Sequence, residues 1–182
     1  KAQPVDSVTD ELKTLVADML ETMYDEKGIG LASIQVGVEK SLLIIDTRIL
    51  KDGGRYKDEE MTELEAQVEQ PIVIFNPTLL KKEGKTTFDE GCLSLPGYYE
   101  TVQRFKYVEV EGLDREGKPL TLKLDGLLAI CMQHEMDHLD GKVFLDRLSP
   151  IKSARLRSKI KKYGYPDADD DDDEQDTAGE SE

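Results

Sequence analysis

A chain of 182 residues suits one domain with its own core, because a domain near this size buries about 70% of its unfolded surface. Two cysteines are too few for a disulfide framework and fit a reducing compartment, and no run of eighteen apolar residues exists that could span a membrane. The net charge of −15 gives no overall footprint for DNA, but it is unevenly spread: residues 167–182, DADDDDDEQDTAGESE, hold ten of the 39 acidic side chains and no basic one.

Taken in chain order, Leu12, Leu15, Val16, Met19, Leu20 and Met23 recur at helical spacing, with Ser7 or Thr9 as the cap and Gly28 as the stop. The glycine-rich connection GIGLASIQVG leads into a strand-like run, SLLIID, at residues 41–46. Residues 48–71 are polar and read as a surface excursion, after which IVIFNP at 72–77 reads as a second buried strand. GCLSLPGYYETV reads as a turn and extended chain. Tyr107–Leu113 and Leu120–Leu124 flank DREGKP as a hairpin. A helix follows from Asp125 to Gly141, and a last one opens at Ser149 and Pro150 and closes at Gly164. The expected fold is α+β. Mixed or antiparallel sheets pack around a central helix, with helices at both ends. Residues 1–165 form the expected catalytic domain, and 166–182 an expected disordered acidic tail.

The central helix carries QHEMDH, with the only two histidines of the chain, His134 and His138. Four apart, they lie on one helical face one turn from each other and can grip a single metal ion. Glu135 lies about 100° round the helix from His134, close enough to act on a water there without being a ligand. A catalytic site needs a third protein ligand and an open position. A third histidine at the end of H-E-x-x-H-x-x-G-x-x-H is ruled out because Phe144 stands there, and no Glu occurs between Glu135 and Glu174. Cys131 lies about 7 Å from the ion along the helix axis, beyond the reach of a thiolate. Cys92, on the loop DEGCLSLPG and preceded by Gly91, is left as the third ligand.

Three stretches in this order, GIGLASIQ, EGCLS and QHEMDH, resemble the three motifs of the peptide deformylases, and the likeness runs from about residue 4 to residue 163. One departure is Ser33, where the family's first motif usually has a second Ala. The family usually has a strand and turn before the point where this chain begins, at Lys1 and without an apolar leader, so its true beginning is expected upstream. The resemblance implies removal of the formyl group from the N-terminal methionine of new polypeptides, with release of formate. It implies Cys92, His134 and His138 as metal ligands, Glu135 as general base, and the Gln35 amide and Leu93 N–H on the developing oxyanion. Ile29, Gly30, Phe88, Gly91, Leu127, Ile130 and Cys131 would bind the substrate, with the apolar ones lining a methionine pocket, and Arg104 and Glu90 would form a supporting ion pair. One divalent metal per chain is expected, Fe²⁺ in the cell, with Zn²⁺, Ni²⁺ or Co²⁺ as substitutes. The implied partners are N-formylmethionyl peptides, with no membrane or DNA, and the implied setting is a bacterial cytoplasm rather than an organelle matrix.

Lys152, Arg155, Arg157, Lys159, Lys161 and Lys162 make the last helix basic, while Leu156, Ile160 and Tyr163 form an apolar stripe that would dock it. A basic helix there suits ribosomal RNA near the point where nascent chains emerge, and the adjacent acidic tail would weaken that contact. Three rivals stay open at this level, among them a deformylase-like protein that has lost its activity. The leading one is a different metal hydrolase, an aminopeptidase or endopeptidase, using the same activated water. The third is a non-catalytic metal-binding or interaction module, disfavoured because a structural site would need a fourth protein ligand.

Overall fold

The computed structural model describes residues 1–48 and 61–165. The acidic tail expected from residue 166 and residues 49–60 of the excursion that begins at residue 48 lie outside the described residues. The chain opens with α1 (Asp10–Asp25), capped by the Thr9 hydroxyl, which accepts from the Leu12 N–H. Strands β1 (Gly30–Ala32) and β2 (Leu42–Ile45) follow, separated by a 3-10 turn at Ser33–Val36. Then come β3 (Ile72–Glu83), β4 (Thr86–Glu90), β5 (Glu100–Arg104), β6 (Tyr107–Leu113) and β7 (Pro119–Leu124). Helices α2 (Gly126–Leu139) and α3 (Pro150–Tyr163) complete the described chain.

The strands form a five-stranded sheet in the order β1-β2-β3-β6-β7 and a separate ribbon, β4-β5. Every pairing between strands is antiparallel. The run LLII of β2 is fully buried because helices cover both faces of the sheet at this point. Leu43 and Ile45 pack with Leu128, Ala129 and Met132 of α2, whereas Leu42 and Ile44 pack with Val16, Met19 and Met23 of α1. A third cluster, built on Leu95, Val102, Phe144 and Leu145, receives Leu156 and Ile160 of α3. Tyr163 does not join them and is 66% exposed, so the docking stripe is shorter than expected.

Three local expectations change. The run IVIFNP reads as ending at Pro77, but β3 continues to Glu83, and its register against β6 shifts between Phe75 and Thr78. A bulge absorbs the N–H that proline lacks, so the ladder resumes beyond it. The glycine-rich connection contains a short strand, β1, which pairs with β2. The excursion is also not wholly at the surface, since Glu65 and Gln70 are buried.

Where β6 crosses β3, Gly112 leaves no room for a side chain: a Cβ would lie 2.5 Å from the Phe75 carbonyl oxygen and 2.7 Å from Ile74 Cγ1. Gly112→Ala is expected to destabilise the fold by roughly 1–3 kcal/mol, the cost of overpacking. The half-exposed Leu80→Ala should change it by less than about 0.5 kcal/mol. Equal thermal midpoints for Gly112→Ala and the parent chain would refute this account.

Candidate metal centre

Helix α2 sets His134 and His138 one turn apart, and the loop after β4 carries Cys92 to them. Cys92 Sγ lies 3.2 Å from His138 Nε2, and the two Nε2 atoms are 3.1 Å apart. Ligand atoms of all three residues lie within 4.8 Å of one another, and among the described residues this is the only such cluster of His, Cys, Asp and Glu. Cys131 is not part of it. Its thiol donates to the Ile29 carbonyl at 3.6 Å, in agreement with the helical geometry.

Tautomer chemistry makes this cluster a good fit for a cation. His134 Nδ1 lies 2.8 Å from Glu90 Oε2, and a carboxylate can only accept, so Nδ1 carries the proton. The Nε2 lone pair of neutral His134 then faces His138 Nε2 and the cysteine sulfur. A thiolate and two imidazole nitrogens converging in this way would repel unless a positive charge lay between them. Soft sulfur with two imidazoles suits a first-row divalent transition metal rather than Mg²⁺ or Ca²⁺. With protons as the only cations, the same demand appears as shifted titration. Burial acts to raise the Cys92 thiol, but hydrogen bonds from His134 and His138 bring it down to about 5. Burial acts to lower His134, but its bonds to Cys92 and Glu90 lift it to about 10.

Behind His134 runs a chain of buried charges. Arg104 Nε donates to Glu90 Oε1 at 2.6 Å and Nη2 to Oε2 at 2.8 Å, forming the expected ion pair as a two-pronged one. Arg104 Nη1 also donates to Asp137 Oδ2 at 2.6 Å, and Asp137 is held from outside by Arg147. Asp137 and Arg147 were not anticipated. Asp137 lies inside the QHEMDH motif, but nothing in its spacing reveals a partner on β5. A cavity of about 460 Å³ on this side is lined by Thr78, Phe105, Arg104, Asp137 and Arg147 but by none of the three metal-type ligands. It therefore lies apart from the chemistry.

Glu135 is 3% exposed, and its Oε2 is a buried polar atom with no partner among the described residues. Burial raises its carboxyl to about 7, against the lowering charges of His134 and His138. Gly30 makes the space: a Cβ there would stand 2.5 Å from Glu135 Oε1 and 2.7 Å from Cys131 Sγ. Gln35, on the 3-10 turn after β1, has its Oε1 held by the Ala32 N–H at 2.8 Å. Its Nε2 is thereby turned toward the cluster, 3.1 Å from Ser94 Oγ and 3.8 Å from Cys92 Sγ. Leu93 lies between Cys92 and Ser94, whose N–H points back at the cysteine sulfur at 3.4 Å.

Of the other expected site residues, Leu127, Ile130 and Cys131 are buried on α2, while Ile29 and Phe88 are partly buried. Gly91 abuts the Tyr99 ring, which fills the space a side chain would need. Ser94 closes the EGCLS motif but is not singled out from the sequence, because nothing in the motif shows that its hydroxyl meets the Gln35 amide.

The family model described as Polypeptide deformylase matches residues 1–154. The chain is 46% identical over 161 residues to the peptide deformylase of Alkalilimnicola ehrlichii, covering 88% of this chain and 82% of that one. The crystal structure of peptide deformylase from Ehrlichia chaffeensis superposes with a TM-score of 0.75 at 38% identity, over 88% of this chain and 87% of the other. That of a peptide deformylase from Legionella pneumophila gives 0.73 at 43% identity, over 89% and 86%. With its α+β fold and its cysteine–histidine cluster, the chain belongs to the polypeptide deformylase family, metal-dependent hydrolases that remove the formyl group from nascent polypeptides.

Proposed function

We propose that Cys92, His134 and His138 hold one ferrous ion and that Glu135 is the base for hydrolysis of N-formylmethionyl peptides. The observation that carries this reading is the buried Glu135 carboxylate oxygen without a partner, beside three converging ligand atoms. A divalent metal bound there would supply Lewis acidity, making water more acidic and the formyl carbon more electrophilic. The protein's own groups then move the protons. Glu135 takes one from the attacking water as the new C–O bond forms at the formyl carbon. When the C–N bond breaks, Glu135 returns that proton to the departing nitrogen, leaving formate and a free amino group. A carboxyl held near 7 can do both at neutral pH. The Gln35 amide and the Leu93 N–H are donors to the developing oxyanion. Ile29, Phe88, Leu127, Ile130 and Cys131 line the methionine pocket, with Gly30 and Gly91 allowing the backbone a close approach.

Thiolate ligation together with Fe²⁺ fits a bacterial cytoplasm, and both cysteines are free thiols. Among the described residues no helix is long and apolar enough to cross a membrane. Helix α3, with six basic side chains and none of its residues buried, is the proposed ribosome contact.

Glu135→Gln, assayed anaerobically with Fe²⁺ on a formyl-Met peptide, should lower kcat by about 10²–10⁴-fold while metal content stays at one per chain. Undiminished formate release would remove Glu135 from the chemistry, and zinc as the metal in anaerobically purified protein would overturn the ferrous assignment. Glu90→Gln should weaken metal retention about 10–100-fold in chelator competition, because His134 loses the carboxylate that fixes its tautomer. Unchanged retention would refute that role. Ribosome binding should weaken as salt rises, and Lys161→Glu with Lys162→Glu should flatten the slope. A chain ending at Tyr165 should bind more tightly, and equal affinities would discard any part for the acidic tail.

A further inference from the structure

The N-terminal turn of α2 is closed by a residue from a distant part of the chain. Asp125 stands at the N-cap, yet its side chain makes no capping hydrogen bond. The first turn is instead capped by Glu65, whose Oε1 accepts from the Leu128 N–H at 2.9 Å. Its Oε2 accepts from the Thr62 N–H at 3.3 Å, and the Thr62 hydroxyl donates to the Asp125 carboxylate. Glu65 is only 3% exposed. The fit is mutual: Gly126 has φ +55°, and a Cβ there would run into Glu65 Oε2. The same segment is anchored at its other end, where Gln70 Oε1 accepts from the Thr47 N–H and hydroxyl at 2.8 and 3.1 Å.

We infer that Glu65 is a positioning residue for the substrate pocket, a clamp that holds the first turn of α2 and so the apolar wall it presents. Leu127, Ile130 and His134 recur at i, i+3 and i+7, so the face of α2 that carries His134 continues back through Ile130 to Leu127. The wall and the metal ligand are therefore parts of one helix, and the turn nearest Glu65 carries Leu127. A carboxylate at this end both satisfies an N–H the helix cannot and opposes the positive end of its dipole. Val68, three residues on, packs into the cluster that contains Leu128 and Met132, which ties the clamp to the core. The inference rests on the proposed methionine pocket for its kinetic consequence but not for the clamp itself.

The test uses the full, metal-loaded chain. In Glu65→Ala the Leu128 amide should exchange with solvent at least about fivefold faster, the loss expected for a missing cap, while the Val16, Met19 and Met23 amides of α1 keep their protection. KM for a formyl-Met peptide should rise about fivefold or more, with kcat within about twofold, unchanged metal content and little change in KM for a formyl-Ala peptide. Glu65→Gln, which keeps an acceptor for the Leu128 N–H, should restore KM to near the parent value. Should Glu65→Ala fail to fold, Glu65→Asp, one methylene too short to reach, carries the same test. Parent-like exchange at Leu128, or equal loss of kcat on both peptides with loss of metal, overturns the inference. If the parent does not distinguish formyl-Met from formyl-Ala, the pocket reading fails, and the exchange measurement still decides the clamp.

Discussion

The site depends on one buried guanidinium. Arg104, 4% exposed on β5, reaches back across its ribbon to Glu90 on β4 and forward to Asp137 on α2. The ribbon is not part of the main sheet, and its position relative to α2 has to come from side chains rather than from a hydrogen-bonded ladder. Opposite charges in a poorly solvated space provide that constraint. Removing one partner of such a pair leaves an uncompensated buried charge, typically at about 3–5 kcal/mol. Cys92 follows Glu90 by two residues, so fixing Glu90 also fixes where the sulfur arrives.

The same carboxylate that anchors the ribbon orients the imidazole. Glu90 accepts from Arg104 with both oxygens and from His134 Nδ1 with one of them. The loop bearing the cysteine and the helix bearing the histidines are therefore registered through a single group. Burial alone would make Glu90 harder to ionise, but the hydrogen bond from Arg104 and then that from His134 keep its carboxyl below the ordinary range. Glu135, one residue along the helix from His134, has no cation bonded to it, and burial dominates there. Adjacent positions on α2 thus lie in opposite environments, an imidazole bonded to a carboxylate and a carboxyl whose burial favours its proton.

Placing that helix requires a sheet covered on both sides. Alternate residues of β2 face α1 and α2, which is why four consecutive apolar residues are needed and why Gly30, on the neighbouring β1, can lie directly against Glu135. At the far end, the segment around Glu65 completes the first turn of α2. The motif helix is thus held at its start by a borrowed carboxylate, along its length by two strands, and near its end by Arg147 on Asp137.

By itself the sequence determined what local periodicity and residue chemistry can determine. Helical spacing, caps and stops located α1, α2 and α3, and the four-residue interval of His134 and His138 with Glu135 between them implied a metal and a base. Elimination among four candidates, a third His, a downstream Glu, Cys131 and Cys92, pointed to Cys92. Only the tertiary structure decided the rest, because the deciding contacts are long-range. Arg104 and Asp137 are separated by 33 residues, and Glu65 and Leu128 by 63. The passage of β3 beyond Pro77 likewise depends on β6 as a partner. Periodicity records which face of an element is buried, whereas the pairing of one buried charge with another is set by how the elements are stacked.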